Sequence, residues 1–152
     1  MSVYWDILAA VRDKLEALAD LGGAPVKIRP RPMVAKGADA LPLVLVCPRR
    51  DSWEEVVSMQ FDNSMHVDYA VLVAVVVDAT ADQAGLRYLL DARAAIRGSL
   101  FDPLAIQADV PSTFDVTYNP SPRGADTSAL AANLDPSFQE FTYRAAEDRR
   151  TA

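Results

Sequence analysis

The chain has 152 residues, 51% of them hydrophobic and 24% charged, which is typical of one globular domain and not of a disordered segment. Its 15 basic and 21 acidic side chains give a formal net charge of -6, and the whole deficit falls in residues 61–152. Because tight nucleic-acid binding needs clustered Lys and Arg to pair with phosphates, this balance argues against a protein that grips DNA.

The first predicted element is an amphipathic helix over Tyr4–Leu18. Its apolar residues recur at steps of three and four, which places them on one helical face. Ser2 is a suitable N-cap, and Gly22-Gly23 is a suitable exit, since glycine accepts the left-handed conformation. This start does not have the pattern of a signal peptide, and no apolar run reaches the ~20 residues of a membrane helix. We therefore expect a soluble, reducing compartment and no membrane partner.

A short strand follows at Val26–Ile28. Pro30 and Pro32 lack amide donors, so they confine this strand to the border of a sheet. Residues 33–41 are predicted to form a loop.

Leu43–Cys47 is predicted to be a buried strand that Pro48 closes. Cys47 is the only cysteine, which excludes an intrachain disulfide. Its apolar neighbours indicate a small buried thiol.

The most regular pattern belongs to Met65–Val77. Its odd positions are all apolar, the signature of a strand face on a core. Its even positions begin with His66 and Asp68 and then become apolar, so this second face should be wet at one end and covered at the other by something packed on it. Residues 56–61 predict a hairpin partner, joined through a turn at Asp62-Asn63-Ser64.

A second helix is predicted after Thr80 and Gln83, which have the spacing of a capping box. Its apolar residues are predicted to face the core; they are Leu86, Leu89, Leu90, Ile96 and Leu100.

Two further strands close the chain. Phe114, Val116 and Tyr118 alternate with polar residues, as do Phe141 and Tyr143. The polar connection between these strands includes a possible helical turn at 129–133. The sequence thus predicts an α+β fold in one domain, 1–152, with a mostly antiparallel sheet of five or six strands and two main helices packed on it.

A search for catalytic chemistry gives little. His66 is the only histidine, and with Asp68 it offers two metal ligands where zinc sites usually need three or four. No serine or cysteine near it completes a nucleophile motif, and no glycine-rich loop matches a phosphate or dinucleotide fingerprint. We therefore predict no catalytic, cofactor-binding or metal-binding residues and no enzymatic activity.

Basic residues form the one candidate binding surface. Arg29 and Arg31 alternate around Pro30, and Arg49-Arg50 follow the next strand, close to Trp53. Such a group is either a solubilising rim or a docking patch, because Arg and Trp often anchor interfaces. The acidic second half of another copy would supply a partner and favour a head-to-tail ring.

The order of the elements resembles bacteriophage tail terminator proteins and the related tail-completion and neck proteins. The matching features are the opening helix at Tyr4–Leu18, the valine-rich strand at Val67–Val77, the helix that ends in Ile96-Arg97, and the aromatic closing strand at Phe138–Tyr143. The resemblance covers most of the chain.

This resemblance implies a hexameric ring that caps the tail tube, stops its polymerisation and offers the surface to which the head attaches. The implied partners are other copies of the chain, the tail tube protein and a head-completion or connector protein, with DNA passing through the ring without sequence-specific binding. The location would be the tail or neck of the virion, assembled in the host cytoplasm. Residues 30–42 and 119–136 would be assembly loops, and a helix or an adjacent protomer would cover the second face of the long strand.

Two other functions stay open at this point. One is a head–tail connector or neck adaptor of similar fold. The other is a small α+β enzyme or ligand-binding domain with a pocket around His66, Asp68 or Tyr69.

Overall fold

The computed structural model describes residues 2–35, 37–55, 64–78, 83–122 and 134–148. Two α-helices and five strands occur in this part of the chain, and their bounds are α1 Val3–Glu16, β1 Val26–Ile28, β2 Leu43–Glu55, β3 Ser64–Asp78, α2 Gln83–Leu100, β4 Thr113–Asn119 and β5 Leu134–Asp148. The strands form one sheet in the order β1-β2-β3-β5-β4. Among the strands of the described ranges, only the β1–β2 pair is parallel. This arrangement confirms the predicted α+β class.

Helix α1 begins as its sequence predicts and ends earlier. The Ser2 hydroxyl accepts the Trp5 backbone N–H at 3.3 Å, which confirms the N-cap. The helix stops at Glu16, and a 3₁₀ turn at Ala19–Leu21 continues to Gly22, whose φ is 62°. Gly22 therefore ends the short turn and not α1 itself, which corrects the prediction.

Strand β2 does not stop at Pro48, contrary to the prediction, but continues to Glu55 through a bulge between Pro48 and Arg50. A β-bulge adds one residue to a strand, and this extra residue has no partner on the neighbouring strand. Here the extra residue is Arg49, and its backbone N–H donates to the Tyr4 hydroxyl at 2.8 Å. The Tyr4 hydroxyl of α1 thus provides an acceptor for the backbone amide that the bulge leaves unpaired in the ladder.

Several predicted features lie outside the described residues. They are the strand at 56–61 and most of its turn, the Thr80 end of the capping box, and the helical turn at 129–133.

Strand β3 lies at the centre of the sheet and is buried on both faces over much of its length. Its odd positions pack under α1 and α2 in the main core, which includes Leu15, Val73 and Ile96. Its later even positions, Leu72, Ala74 and Val76, form a second apolar cluster with three residues of β2, namely Leu43, Leu45 and Cys47.

The cover of this second cluster comes in part from the same chain. Val34 and Leu41, from the loop between β1 and β2, pack on it together with Phe138 of β5. This confirms the predicted wet-then-covered face of β3, and shows that a loop contributes the cover that was expected from a helix or an adjacent protomer.

Helix α2 buries fewer leucines than its sequence predicts. Leu86 and Leu90 are 59% and 57% exposed, which contradicts the prediction, whereas Ala92, Ile96 and Leu100 are buried. The buried residues lie at steps of four, so they form one narrow stripe against the sheet. Leu86 and Leu90 are also four apart, but their stripe faces outward.

The two closing strands occur where the sequence predicts them, but one residue predicted to face the core is exposed. Phe141 and Tyr143 are fully buried in β5, as predicted. In β4 a bulge between Thr113 and Asp115 breaks the alternation, so Phe114 is 41% exposed while Val116 faces the core. A local bulge changes which side of the sheet a side chain points to, and the period-two pattern cannot reveal it.

Candidate assembly surface

The candidate polar site on β3 is occupied by contacts within the chain. The His66 ring lies against the Phe114 ring, with centroids 4.8 Å apart. The Asp68 carboxylate accepts two hydrogen bonds from Arg144 of β5, at 2.8 and 3.1 Å. Within the described ranges, no group of three His, Cys, Asp or Glu side chains is placed to hold a metal ion.

Tyr69 does not join His66 and Asp68 in a pocket. It is an odd-numbered residue of β3, so its side chain lies on the helix-bearing face, where the hydroxyl donates to the Glu147 carboxylate at 2.6 Å. Burial, followed by Glu147, raises the pKa of Tyr69. The three residues that an enzyme or ligand site would need are therefore divided between two faces of the sheet.

The Cys47 thiol is not a reactive group. It is 1% exposed within the second apolar cluster, and burial raises the pKa of the thiol to about 12. The thiolate is the nucleophilic form, so this side chain stays protonated and inert at neutral pH.

Arg29 closes the loop between β1 and β2. Its guanidinium donates two hydrogen bonds to the Asp39 carboxylate, both at 2.8 Å, and one to the Met33 carbonyl at 2.6 Å. Asp39 also accepts the Ala35 backbone N–H at 2.8 Å, and Lys27 lies 3.7 Å away. The hydrogen bonds from Arg29 hold the pKa of Asp39 well below its usual range. The interaction of Arg29 with Asp39 is here called the loop clasp.

Arg49 is also paired within the chain. Its Nε donates to a Glu140 carboxylate oxygen on β5 at 3.1 Å, so the side chain passes over the intervening β3. Glu140 is only 6% exposed. Arg49 therefore neutralises a buried carboxylate.

Arg31 and Arg50 are the two members of the basic group that face solvent. The Arg31 Nε donates to the Met33 sulfur at 3.2 Å. Neither Arg31 nor Arg50 forms an ion pair with a described side chain. Trp53 has its backbone in β2, but its side chain lies outside the described part of the chain. Docking through Arg29, Arg31, Arg49, Arg50 and Trp53 remains a proposal, with Arg31 and Arg50 as its accessible charges.

An apolar groove lies at this margin of the sheet. It has a volume of about 270 Å³ and is lined by side chains from α1, β1 and the β2 bulge, namely Trp5, Leu8, Ile28, Arg29, Pro30 and Pro48. We call it the β1-side groove. Trp5 is 54% exposed on its wall.

Sequence reasoning missed Trp5, although a signal was present. Trp5 falls outside the helical stripe that contains Ile7 and Leu8, so a large aromatic side chain occupies a position expected to be polar. Because Trp5 adjoins the other apolar residues of the β1-side groove, it is a candidate for contact with a partner.

An exposed aromatic side chain also occurs at the opposite margin, and an exposed leucine follows it closely in the chain. Phe101, which follows α2, stacks on Tyr118 of the edge strand β4 with centroids 5.4 Å apart, and it remains 49% exposed. Leu104 is 65% exposed three residues later. We call Phe101 and Leu104 the β4-side ridge.

Comparison with known proteins gives a likeness among solved structures. The sequence matches no protein-family model and no curated protein. Among solved structures, the fold resembles a chain from the "Virion of native gene transfer agent (GTA) particle", with a TM-score of 0.50 and 16% sequence identity. The alignment covers 93% of this chain and 95% of that chain. At this identity the likeness shows a shared fold over nearly the whole of both chains.

The described helices include none that is both long and apolar enough to cross a membrane.

Proposed function

We propose that this protein is a structural component of a phage-like virion, where it acts as a tail terminator. In this role, copies of the chain form a ring, with six members as the expected number, that closes the end of the tail tube and offers the surface for head attachment. Its partners would be the tail tube protein and a head-completion or connector protein. DNA would pass through the ring without being read.

The observation that carries the proposal is the shared fold. The likeness to a chain of a gene transfer agent virion extends over 93% of this chain and 95% of the other, so it involves the domain as a whole and not one common motif. The order of helices and strands that resembles tail terminators in the sequence is also the order found in the structure.

The surface chemistry supports a role in assembly over a role in catalysis. The polar residues of β3 are paired within the chain, and His66, Asp68 and Tyr69 do not converge on one pocket. Some of the exposed apolar residues instead lie at two different margins of the sheet, with Trp5 at one and Phe101 at the other, as expected of a subunit that contacts neighbours on two sides.

A gene deletion in the parent particle tests the proposal. Without a terminator, tail tubes should grow to irregular lengths and DNA-filled heads should accumulate without tails, and the wild-type gene supplied in trans should restore joined particles. Tails of normal length attached to heads in the deletion strain would contradict the proposal.

The position of the protein in the particle separates the terminator from a connector or neck adaptor. Antibody labelling or a reconstruction of the particle should place the protein at the end of the tail tube. A position against the portal, with free tails of normal length, would favour the connector.

A further inference from the structure

The β1-side groove and the β4-side ridge lie at opposite margins of one row of the sheet. Cross-strand pairing places Pro48 opposite Val71, Val71 opposite Phe141, and Phe141 opposite Tyr118. Pro48 lines the groove and Tyr118 supports Phe101 of the ridge, both on the helix-bearing face. The two surfaces therefore occupy the same level of the same face.

We propose that the β4-side ridge of one copy docks into the β1-side groove of the next copy. This inference rests on the proposed function and deepens it by naming the two surfaces that join neighbouring subunits. The contact is heterologous, since each copy uses a different surface toward each neighbour. Repetition of such a contact closes into a ring when the rotation between copies allows it.

Shape and polarity fit this pairing. The groove is lined by five apolar side chains and Arg29, and its volume of about 270 Å³ lies just below the ~300–1,000 Å³ of pockets for small-molecule ligands. A groove of this size suits one or two large side chains. Phe101 and Leu104 are such side chains, and both are about half or more exposed.

Charge also fits. Residues 26–32, which include part of the groove wall, carry Lys27, Arg29 and Arg31 and no acidic residue. Residues 101–110, which include the ridge, carry Asp102 and Asp109 and no basic residue of their own; Lys14 of α1 donates to the Ala105 carbonyl at 3.0 Å, so one negative charge remains in excess there. Lys27 and Arg29 share the single carboxylate of Asp39, so the groove side keeps a positive excess. Opposite charges around an apolar contact favour one mutual orientation of the two copies.

The test uses two variants of the full chain, each altered at one surface. The ridge variant carries Phe101→Ser and Leu104→Ser, and the groove variant carries Trp5→Ser. All three residues are at least about half exposed, so both variants should fold, which circular dichroism checks. A matched control carries Leu86→Ser and Leu90→Ser, which removes two equally exposed leucines of α2 that belong to neither surface.

Sedimentation velocity over a concentration series gives the readout. The wild type and the Leu86/Leu90 control should assemble alike, and each surface variant should need at least about tenfold more protein to assemble, the loss expected when an interface anchor is truncated. An equimolar mixture of the two surface variants retains one intact ridge and one intact groove, so it should form dimers and nothing larger.

Other outcomes overturn the inference. The inference is wrong if either surface variant assembles like the wild type. It is also wrong if the wild type stays monomeric throughout the concentration series, or if the mixture yields no dimer. None of these results bears on tail length in the deletion strain, so failure of this contact is distinguishable from failure of the proposed function.

Discussion

The Tyr4 hydroxyl accepts the Arg49 backbone N–H at 2.8 Å, which bonds the first turn of α1 to the bulge of β2. The same hydroxyl lies within hydrogen-bond reach of the Arg50 and Ala70 carbonyls. Trp5, the next residue, lines the β1-side groove, so this hydrogen bond joins the backbone that carries the groove wall to β2.

Removal of the hydroxyl by Tyr4→Phe should lower the free energy of unfolding by about 1–3 kcal/mol, since the Arg49 amide then lacks a partner in a half-buried site. Urea unfolding measures the change. Tyr88→Phe is the matched control, because its hydroxyl makes one hydrogen bond, to the Leu21 carbonyl, and its loss should cost about 0.5–1.5 kcal/mol. Equal stability of Tyr4→Phe and wild type would show that water satisfies the bulge equally well.

Arg49→Ala should destabilise the fold by about 3 kcal/mol, the low end for a broken buried ion pair, because Glu140 is left buried while the arginine itself was partly exposed. Arg50→Ala, at the next position and solvent-exposed, should change the unfolding free energy by less than about 0.5 kcal/mol. Chemical denaturation of both variants separates the two roles. A similar small effect at both positions would contradict the structural role given to Arg49.

Acid should weaken the loop clasp. Arg29 lowers the pKa of Asp39 in the folded state, so the unfolded chain binds the proton first as the pH falls. The stability that Asp39 contributes is therefore complete at neutral pH and is lost progressively as the pH falls below the unfolded value of about 3.9. The difference in unfolding free energy between wild type and Asp39→Asn should shrink over this range.

Arg29→Gln serves as the control for that measurement. Without the guanidinium, exchange of Asp39 for Asn should have much less effect on the acid dependence. Persistence of the same acid loss in the Arg29→Gln background would assign it to other carboxylates.

Val73→Asp should prevent folding, since Val73 is fully buried in β3 and an unpaired carboxylate there costs several kcal/mol. Leu90→Asp places the same group on the outer face of α2, where the side chain is 57% exposed, and should be tolerated. Circular dichroism and thermal unfolding compare the two. A folded Val73→Asp protein would mean that the strand is less enclosed than its position indicates.

Reversal of the two accessible charges tests the docking patch. Arg31→Glu with Arg50→Glu should leave the unfolding free energy nearly unchanged and weaken assembly, with the larger effect at low salt, where charges are less screened. Arg49 is unsuitable for this purpose, because its reversal would set a second carboxylate against Glu140. Unchanged assembly of the Arg31/Arg50 variant at low salt would remove the patch from the interface.

Sequence periodicity was sufficient where one local pattern decides the outcome. The stripe of α1, the alternation of β3 and the buried aromatic pair Phe141 and Tyr143 each follow from spacing alone. Periodicity was insufficient where a contact with a residue far away in the sequence decides the outcome. Pro48 looked like a strand end, and β2 continues past it because Tyr4 supplies the acceptor that the bulge requires.

The candidate site was harder to predict than the fold. Arg29 and Arg49 looked free because their carboxylate partners lie 10 and 91 positions away in the chain. The groove draws on three separate elements, so no single stretch of sequence displays it. Leu86 and Leu90 show the opposite error, because they were expected to be buried and are exposed. A helix with apolar residues on two faces does not reveal which face meets the sheet.

Strand β5 separates β3 from β4, so β4 joins the sheet only through the last strand of the described chain. During synthesis, the emerging polypeptide can pair β2 with β3, but it cannot place β4, or the side chains supported by it, until residues 134–148 have been made. Unfinished or prematurely terminated products consequently lack the margin through which we expect neighbours to engage. If neighbours join through the proposed contact, the topology would restrict assembly to subunits that contain residues 134–148.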